Sequence, residues 1–111
     1  MQIDLAQPRQ GVTVLALKGR LNLKTAPGFL DRVDRILDSG RRQVIVDLGE
    51  VELVDSSGVG ALITATKRLR HRGGDLRIAR PNRRMRVLLD VTFLNDMFRT
   101  YGDVEEALSD T

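Results

Sequence analysis

Apolar residues along the chain recur at two spacings, and each change from one to the other marks a boundary between elements. A short β-like stretch at Ile3 to Ala6 is followed by the turn-like run Gln7-Pro8-Arg9-Gln10-Gly11. Next comes Val12-Thr13-Val14-Leu15-Ala16-Leu17, rich in β-branched residues and ending at Gly19. Two such runs across a short turn predict a hairpin. Thr25 then offers an N-cap, with Pro27 tolerated in the first helical turn. Ala26, Phe29, Leu30, Val33, Ile36 and Leu37 return at helical spacing, while Asp31, Arg32, Asp34, Arg35 and Asp38 hold the other face. Gly40 is placed to close this helix as a left-handed C-cap.

Val44-Ile45-Val46-Asp47-Leu48 is a nearly unbroken apolar run, the signature of a strand covered on both faces. A loop is expected around Gly49-Glu50, then Val51 to Val54, then the small polar run Asp55-Ser56-Ser57-Gly58. Val59, Leu62, Ile63, Thr66 and Leu69 mark a second helix ending at Gly73-Gly74, and Asp75 to Ala79 a further strand. Pro81-Asn82 opens a third helix carrying Met85, Leu88 and Leu89. Met97 to Tyr101 is an expected edge strand, and Asp103 with Glu106 forms a capping box for a last short helix through Val104, Ala107 and Leu108. The order β-β-α-β-α-β-α-β-α predicts an α/β fold. Its sheet of about four to five strands is mixed because it begins with a hairpin, and about four helices accompany it. At 111 residues, with no linker or low-complexity tract, the expectation is one domain over 1–111.

Composition narrows the chemistry. The chain has no cysteine, so disulfides, thiolate metal sites and thiol catalysis are all excluded. The longest apolar runs fall far short of the ~20 residues that span a bilayer, and the N-terminus has no basic region leading into an apolar one. A soluble, cytoplasmic protein is expected. The net charge of +3 conceals a basic stretch of Lys67, Arg68, Arg70, Arg72, Arg77, Arg80, Arg83, Arg84 and Arg86, opposed within it only by Asp75. No aromatics are interleaved to stack on bases, so this stretch is read as a solvated face or an acidic-protein contact before a nucleic-acid surface. Phe29, Phe93, Phe98 and Tyr101 are taken as core or edge packing.

Candidate chemistry concentrates at Val54-Asp55-Ser56-Ser57-Gly58-Val59-Gly60, where a strand-like run passes directly into a helix. The plain reading is a cap, with Asp55 or Ser56 accepting from free N–H groups of the helix. A nucleophilic serine needs a base, and the only histidine, His71, would lie ~20 Å along the same helix. The Gly-x-Ser-x-Gly elbow, the Gly-x-x-x-x-Gly-Lys-Ser/Thr loop and a complete dinucleotide fingerprint are all missing. One histidine with no close carboxylate cluster gives no metal site, so no catalytic residue, metal or cofactor is expected. A serine that is itself a substrate fits better. The start of a helix is exposed and tolerates an added phosphate, whose charge of ≈ −1.5 to −2 would alter any contact made there.

Together, Val44-Ile45-Val46-Asp47-Leu48, Val51-Glu52-Leu53-Val54, Asp55-Ser56-Ser57-Gly58-Val59-Gly60, Gly73-Gly74 before a strand and Pro81 before a helix resemble the STAS domain over nearly the whole chain. The likeness is to the single-domain anti-sigma factor antagonists. The resemblance implies a partner switch. The unmodified form binds an anti-sigma factor serine kinase and frees the sigma factor, phosphorylation of Ser56 ends that binding, and a PP2C-type phosphatase restores it. It also implies a partner surface of Asn22, Asp55, Ser56, Ser57 and Gly58, and a monomer or weak dimer with no nucleic-acid or membrane partner. Gly19-Arg20-Leu21-Asn22 departs from the family's usual Gly-Glu-Leu-Asp, which makes this surface less acidic. Many relatives have a glycine near Phe93, and the difference is read as a local change in helix termination. The alternative is a STAS subunit that does not switch, as a stressosome component or an accessory subunit of a lipid-transport ATPase.

Overall fold

A computed structural model describes residues 1–110 and contains nine elements in the expected order. They are β1 (Gln2–Arg9), β2 (Val12–Leu21), α1 (Ala26–Asp38), β3 (Gln43–Val54), α2 (Ser56–His71), β4 (Asp75–Ala79), α3 (Arg83–Val91), β5 (Arg99–Tyr101) and α4 (Val104–Ser109). The five strands form one sheet in the order β1-β2-β3-β4-β5; β1 is antiparallel to β2 and every other pairing is parallel. The mixed α/β sheet expected from the sequence is therefore what the chain forms.

Strand alternation divides the core in two. Leu15, Leu17, Val44, Val46, Leu48, Leu76 and Ile78 meet Phe29 and Val33 of α1, Leu62 and Leu69 of α2, and Met85 and Leu89 of α3. The opposite face sends Val12, Val14, Ile45 and Ala79 to Ala107 and Leu108 of α4. This two-sided cover explains the unbroken apolar run of β3, in which Val44, Ile45 and Val46 are fully buried.

The loop expected at Gly49-Glu50 is instead part of a continuous twelve-residue strand. The pairing Ala16↔Asp47 is followed by Lys18↔Glu50, and Gly19↔Val51 by Arg20↔Leu53, so β3 carries two bulges against β2. Glycine at 49 suits the first bulge because the Arg80 guanidinium lies over it; a Cβ there would sit 2.2 Å from Arg80 Cζ.

Helix ends depart from expectation in two places. Thr25 makes no side-chain cap to α1; its hydroxyl donates to the Arg20 carbonyl (2.8 Å) and accepts from Asn22 N–H (2.9 Å). The turn is closed by Asn22, whose Oδ1 accepts from the N–H groups of Lys24 and Thr25. Phe93, taken as core or edge packing, is 89% exposed and sits at φ +57° just beyond α3. Its N–H bonds the Asp90 carbonyl and Leu94 N–H bonds the Leu89 carbonyl, the same paired closure that Gly40 and Gly73 make after α1 and α2. Phe93 thus performs a glycine's task with a side chain that strains the backbone, in line with the reading of this position as altered helix termination. Phe93→Gly is expected to raise stability by about 0.5–1 kcal/mol, the relieved left-handed strain less the entropy glycine adds to the unfolded chain. Urea unfolding checks this.

The basic stretch 67–86 does not form one face. Arg68 reaches Asp34 on α1 and Arg70 reaches Asp75. Arg77 is buried beside α4, donating to Gln43 Oε1 (3.2 Å) and the Asp110 carbonyl (3.0 Å), and Arg80 pairs with Asp47. Spacing along a helix, a strand and a second helix sends these side chains in different directions, so adjacency in sequence overstated the patch.

Candidate functional site

The C-terminal ends of β2 and β3 lie side by side, with Leu21 paired to Val54, and the chain turns there into α1 on one side and α2 on the other. Asp55 is the cap of α2: in extended conformation (φ −90°, ψ −173°), it accepts Gly58 N–H on Oδ1 at 2.9 Å. Its own N–H donates to the Leu21 carbonyl at 3.3 Å, and its carbonyl accepts Val59 N–H at 2.9 Å. Asp55 therefore ties the start of α2 both to itself and to β2.

Of the two candidate caps, the structure uses Asp55 and leaves Ser56 over. Ser56 is the first residue of α2, is exposed, and its hydroxyl bonds no described residue. Ser57 is partly buried and Gly58 fully so. Gly58 is where α2 comes closest to β2: a Cβ there would stand 2.3 Å from the Leu21 carbonyl oxygen and 2.8 Å from Val54 Cγ1. Gly60, on the outer side, has nothing within 4 Å. The N–H groups of Ser56 and Ser57 have no backbone acceptor, and the positive end of the α2 dipole lies at this point.

Asn22 belongs to the same end of the molecule, in the turn that follows Leu21, and Arg20 makes an exposed ion pair with Glu52 across β2 and β3 at 3.4 Å. Two residues that sequence reasoning did not single out join them. Leu23 is 75% exposed in the Asn22 turn and Leu53 is 39% exposed on β3. Leu53 had no legible signal, because alternation from buried Val51 would place it inward and only the second bulge of β3 turns it out. Leu23, in a turn, had none either.

His71 closes α2 at the end opposite Ser56, so the structure does not bring an imidazole to the serine. Among the described residues no three histidine or acidic side chains come together as a metal site, and no helix is long and apolar enough to cross a membrane.

Known proteins share both the sequence pattern and the architecture. The family model described as the STAS domain matches residues 5–107. The anti-sigma F factor antagonist of Paenibacillus polymyxa is 26% identical over 113 aligned positions, covering 99% of this chain and 94% of that protein. A crystal structure from Thermotoga maritima, whose assignment as an anti-sigma factor antagonist is provisional, is 25% identical and superposes with a TM-score of 0.89, covering 97% of this chain and 92% of that one. The Bacillus cell fate determinant SpoIIAA, solved unphosphorylated and phosphorylated, shares the fold at 20% identity, with TM-scores of 0.76 and 0.78, coverage of 98% of this chain, and coverage of 96% and 98% of those chains. With a family model spanning almost its full length and a five-stranded mixed sheet to match, the chain belongs to the STAS domain family.

Proposed function

We propose that this chain is an anti-sigma factor antagonist regulated at Ser56. The unmodified protein binds an anti-sigma factor serine kinase through a surface of Asn22, Asp55, Ser56 and Ser57, shaped by buried Gly58 where α2 meets β2, and the sigma factor is released. The kinase transfers the γ-phosphoryl group of ATP to Ser56 Oγ, leaving ADP, and the complex dissociates. A PP2C-type phosphatase hydrolyses the phosphoserine and restores binding. The chain is the substrate in this cycle and contributes no catalytic group. It acts as one domain over residues 1–111, in the cytoplasm, as a monomer or weak dimer.

The observation that carries this reading is the division of labour at the start of α2: Asp55 does the capping, and Ser56 is exposed with an unengaged hydroxyl. A kinase can reach that oxygen without opening the fold. The phosphate would lie near two N–H groups without a backbone acceptor, so the helix tolerates it, yet it adds ≈ −1.5 to −2 charge beside Asp55 on the contact surface. Exposed Leu23 and Leu53 at the same end supply apolar area for a partner, and the Arg20–Glu52 pair leaves its rim nearly neutral.

The test compares Ser56→Ala with Ser56→Glu. Because Ser56 is not the cap, Ser56→Ala is expected to stay within about 0.5 kcal/mol of the parent in urea unfolding. It should bind the kinase constitutively and take up no phosphate from ATP. Ser56→Glu is expected to bind at least tenfold more weakly, a loss of about 1.4 kcal/mol or more by titration calorimetry. Equal affinity of the two variants for the kinase would overturn the switch and leave Ser56 as surface.

A further inference from the structure

A second feature lies at the far end of α1, about 20 Å along that helix from its start beside the Asn22 turn. Between β1 and the last turns of α1 is a cavity of about 280 Å³ lined by Leu5, Gln7, Arg32, Arg35, Ile36, Ser39 and Arg41. Three arginines line it and no acidic residue does. Most other arginines of the chain have side-chain partners: Arg20, Arg68, Arg70, Arg80 and Arg99 are in ion pairs, and Arg9, Arg42, Arg77 and Arg86 are hydrogen-bonded. The side chains of Arg32, Arg35 and Arg41 form neither kind of contact with any described residue. Nη1 of Arg41 is moreover shut off from solvent with no acceptor.

Of the acids nearby, Asp31 and Asp38 of α1 are exposed and form no part of the cavity lining, and two others are directed elsewhere. Asp34, two residues from Arg32, is engaged by Arg68 of α2. Asp4 of β1 is opposite Ala16 and lines a separate recess on the other face of the sheet. A buried cationic donor without an acceptor is costly, so the enclosed Nη1 of Arg41, with Arg32 and the exposed Arg35 at the same hollow, is an arrangement that an anion would relieve.

We propose that this cavity binds a small phosphate-bearing anion, held by the guanidinium groups of Arg32, Arg35 and Arg41. Guanidinium forks match the oxygens of phosphate in a way that a lone ammonium does not. The volume lies just below the ~300–1,000 Å³ range of small-molecule pockets, so it admits one phosphate with a short organic group and excludes a polymer. Leu5 and Ile36 form the apolar part of the wall, where that organic group would rest. The site is independent of Ser56 and occupies the opposite end of the parallel strands.

The experiment is an amide-resolved NMR titration of the full chain with inorganic phosphate and, separately, phenyl phosphate, against sodium chloride at matched ionic strength. Saturable shifts are expected at Leu5, Gln7 and residues 35–41, with a Kd below about 1 mM. Arg41→Gln, and separately the double variant Arg32→Gln/Arg35→Gln, should each weaken binding tenfold or more. Arg83→Gln/Arg84→Gln, which removes exposed charges on α3, should leave it unchanged. Tighter binding of phenyl phosphate identifies the ligand as a monoester; equal binding identifies it as the free anion. Shifts no larger than those with chloride, shifts centred on other residues, or an equal loss in the α3 variant would overturn the proposal. If Arg41→Gln fails to fold, the double variant decides between these outcomes by itself.

Discussion

Gly58→Ala is expected to destabilise the protein by about 2–3 kcal/mol, while Gly60→Ala, two residues along the same helix, stabilises it by about 0.5–1 kcal/mol. The added methyl at 58 would stand 2.3 Å from the Leu21 carbonyl oxygen and 2.8 Å from Val54 Cγ1. Neither neighbour is free to retreat. Leu21 is fully buried, paired to Val54 across the β2–β3 ladder, and its carbonyl accepts Asp55 N–H. Relief must come from moving the start of α2 outward. That stretches the Asp55 to Leu21 hydrogen bond, worth about 1 kcal/mol, on top of the overpacking. At 60 nothing lies within 4 Å, so alanine there gains helix propensity without a clash. Urea unfolding of both variants, with m-values compared, checks the pair. Because Ser56 rides on the displaced turn, Gly58→Ala should also weaken binding to the partner proposed above. A Gly58→Ala protein as stable as Gly60→Ala would mean that α2 does not press against the Leu21 carbonyl.

That close approach marks a limit of what the sequence carries. The element order and the mixed sheet were legible because each element announces itself locally, through the helical spacing of Phe29, Val33 and Leu37 or the unbroken Val44 to Leu48 run. The serine turn was legible as a strand-to-helix junction, and Asp55 as one of two possible caps. Which of the two caps the helix depends on the Asp55 N–H bond to β2, a contact across 34 residues that no local pattern encodes. The same limit explains the rest. Gly49-Glu50 looked like a loop because glycine usually ends a strand, whereas here it makes room for Arg80, which lies 31 residues on. Thr25 looked like a cap because its type and place are right, but Asn22 had already closed the turn. Arg77 looked solvated because charge usually is, yet the carbonyl at the end of α4 and Gln43 hold it in the interior.

Arg80 shows how such a distant contact is maintained, and its removal should be the more costly half of an asymmetric pair. Asp47 is buried on β3 and accepts on Oδ1 from Arg80 Nε (2.9 Å) and Gly49 N–H (3.0 Å), and on Oδ2 from Arg80 Nη2 (2.8 Å). The Asp47 side chain is 8% exposed and that of Arg80 48%. Arg80→Ala leaves a buried carboxylate with one backbone donor and is expected to cost about 2–3 kcal/mol at neutral pH. Asp47→Ala leaves a guanidinium that water already reaches and should cost only about 1 kcal/mol. The pH dependence separates this explanation from simple loss of packing. Burial pushes the Asp47 carboxyl up, but the hydrogen bonds from Arg80 and Gly49 and the charge of Arg80 outweigh it and hold the group below its ordinary value. A depressed folded pKa contributes stability that is complete above the unfolded carboxylate value, about 4, and is lost as pH falls through the folded value. In Arg80→Ala, burial remains and two of the three opposing influences are gone, so the carboxyl titrates higher than in the parent. The deficit of the variant should therefore shrink as pH is lowered from 7 toward 4, because protonation removes the stranded charge in the variant before it breaks the pair in the parent. Urea unfolding across that range, with carboxyl carbon NMR of Asp47 in both proteins, decides the point; a deficit independent of pH would assign the effect of Arg80 to its contact over Gly49 and not to its charge.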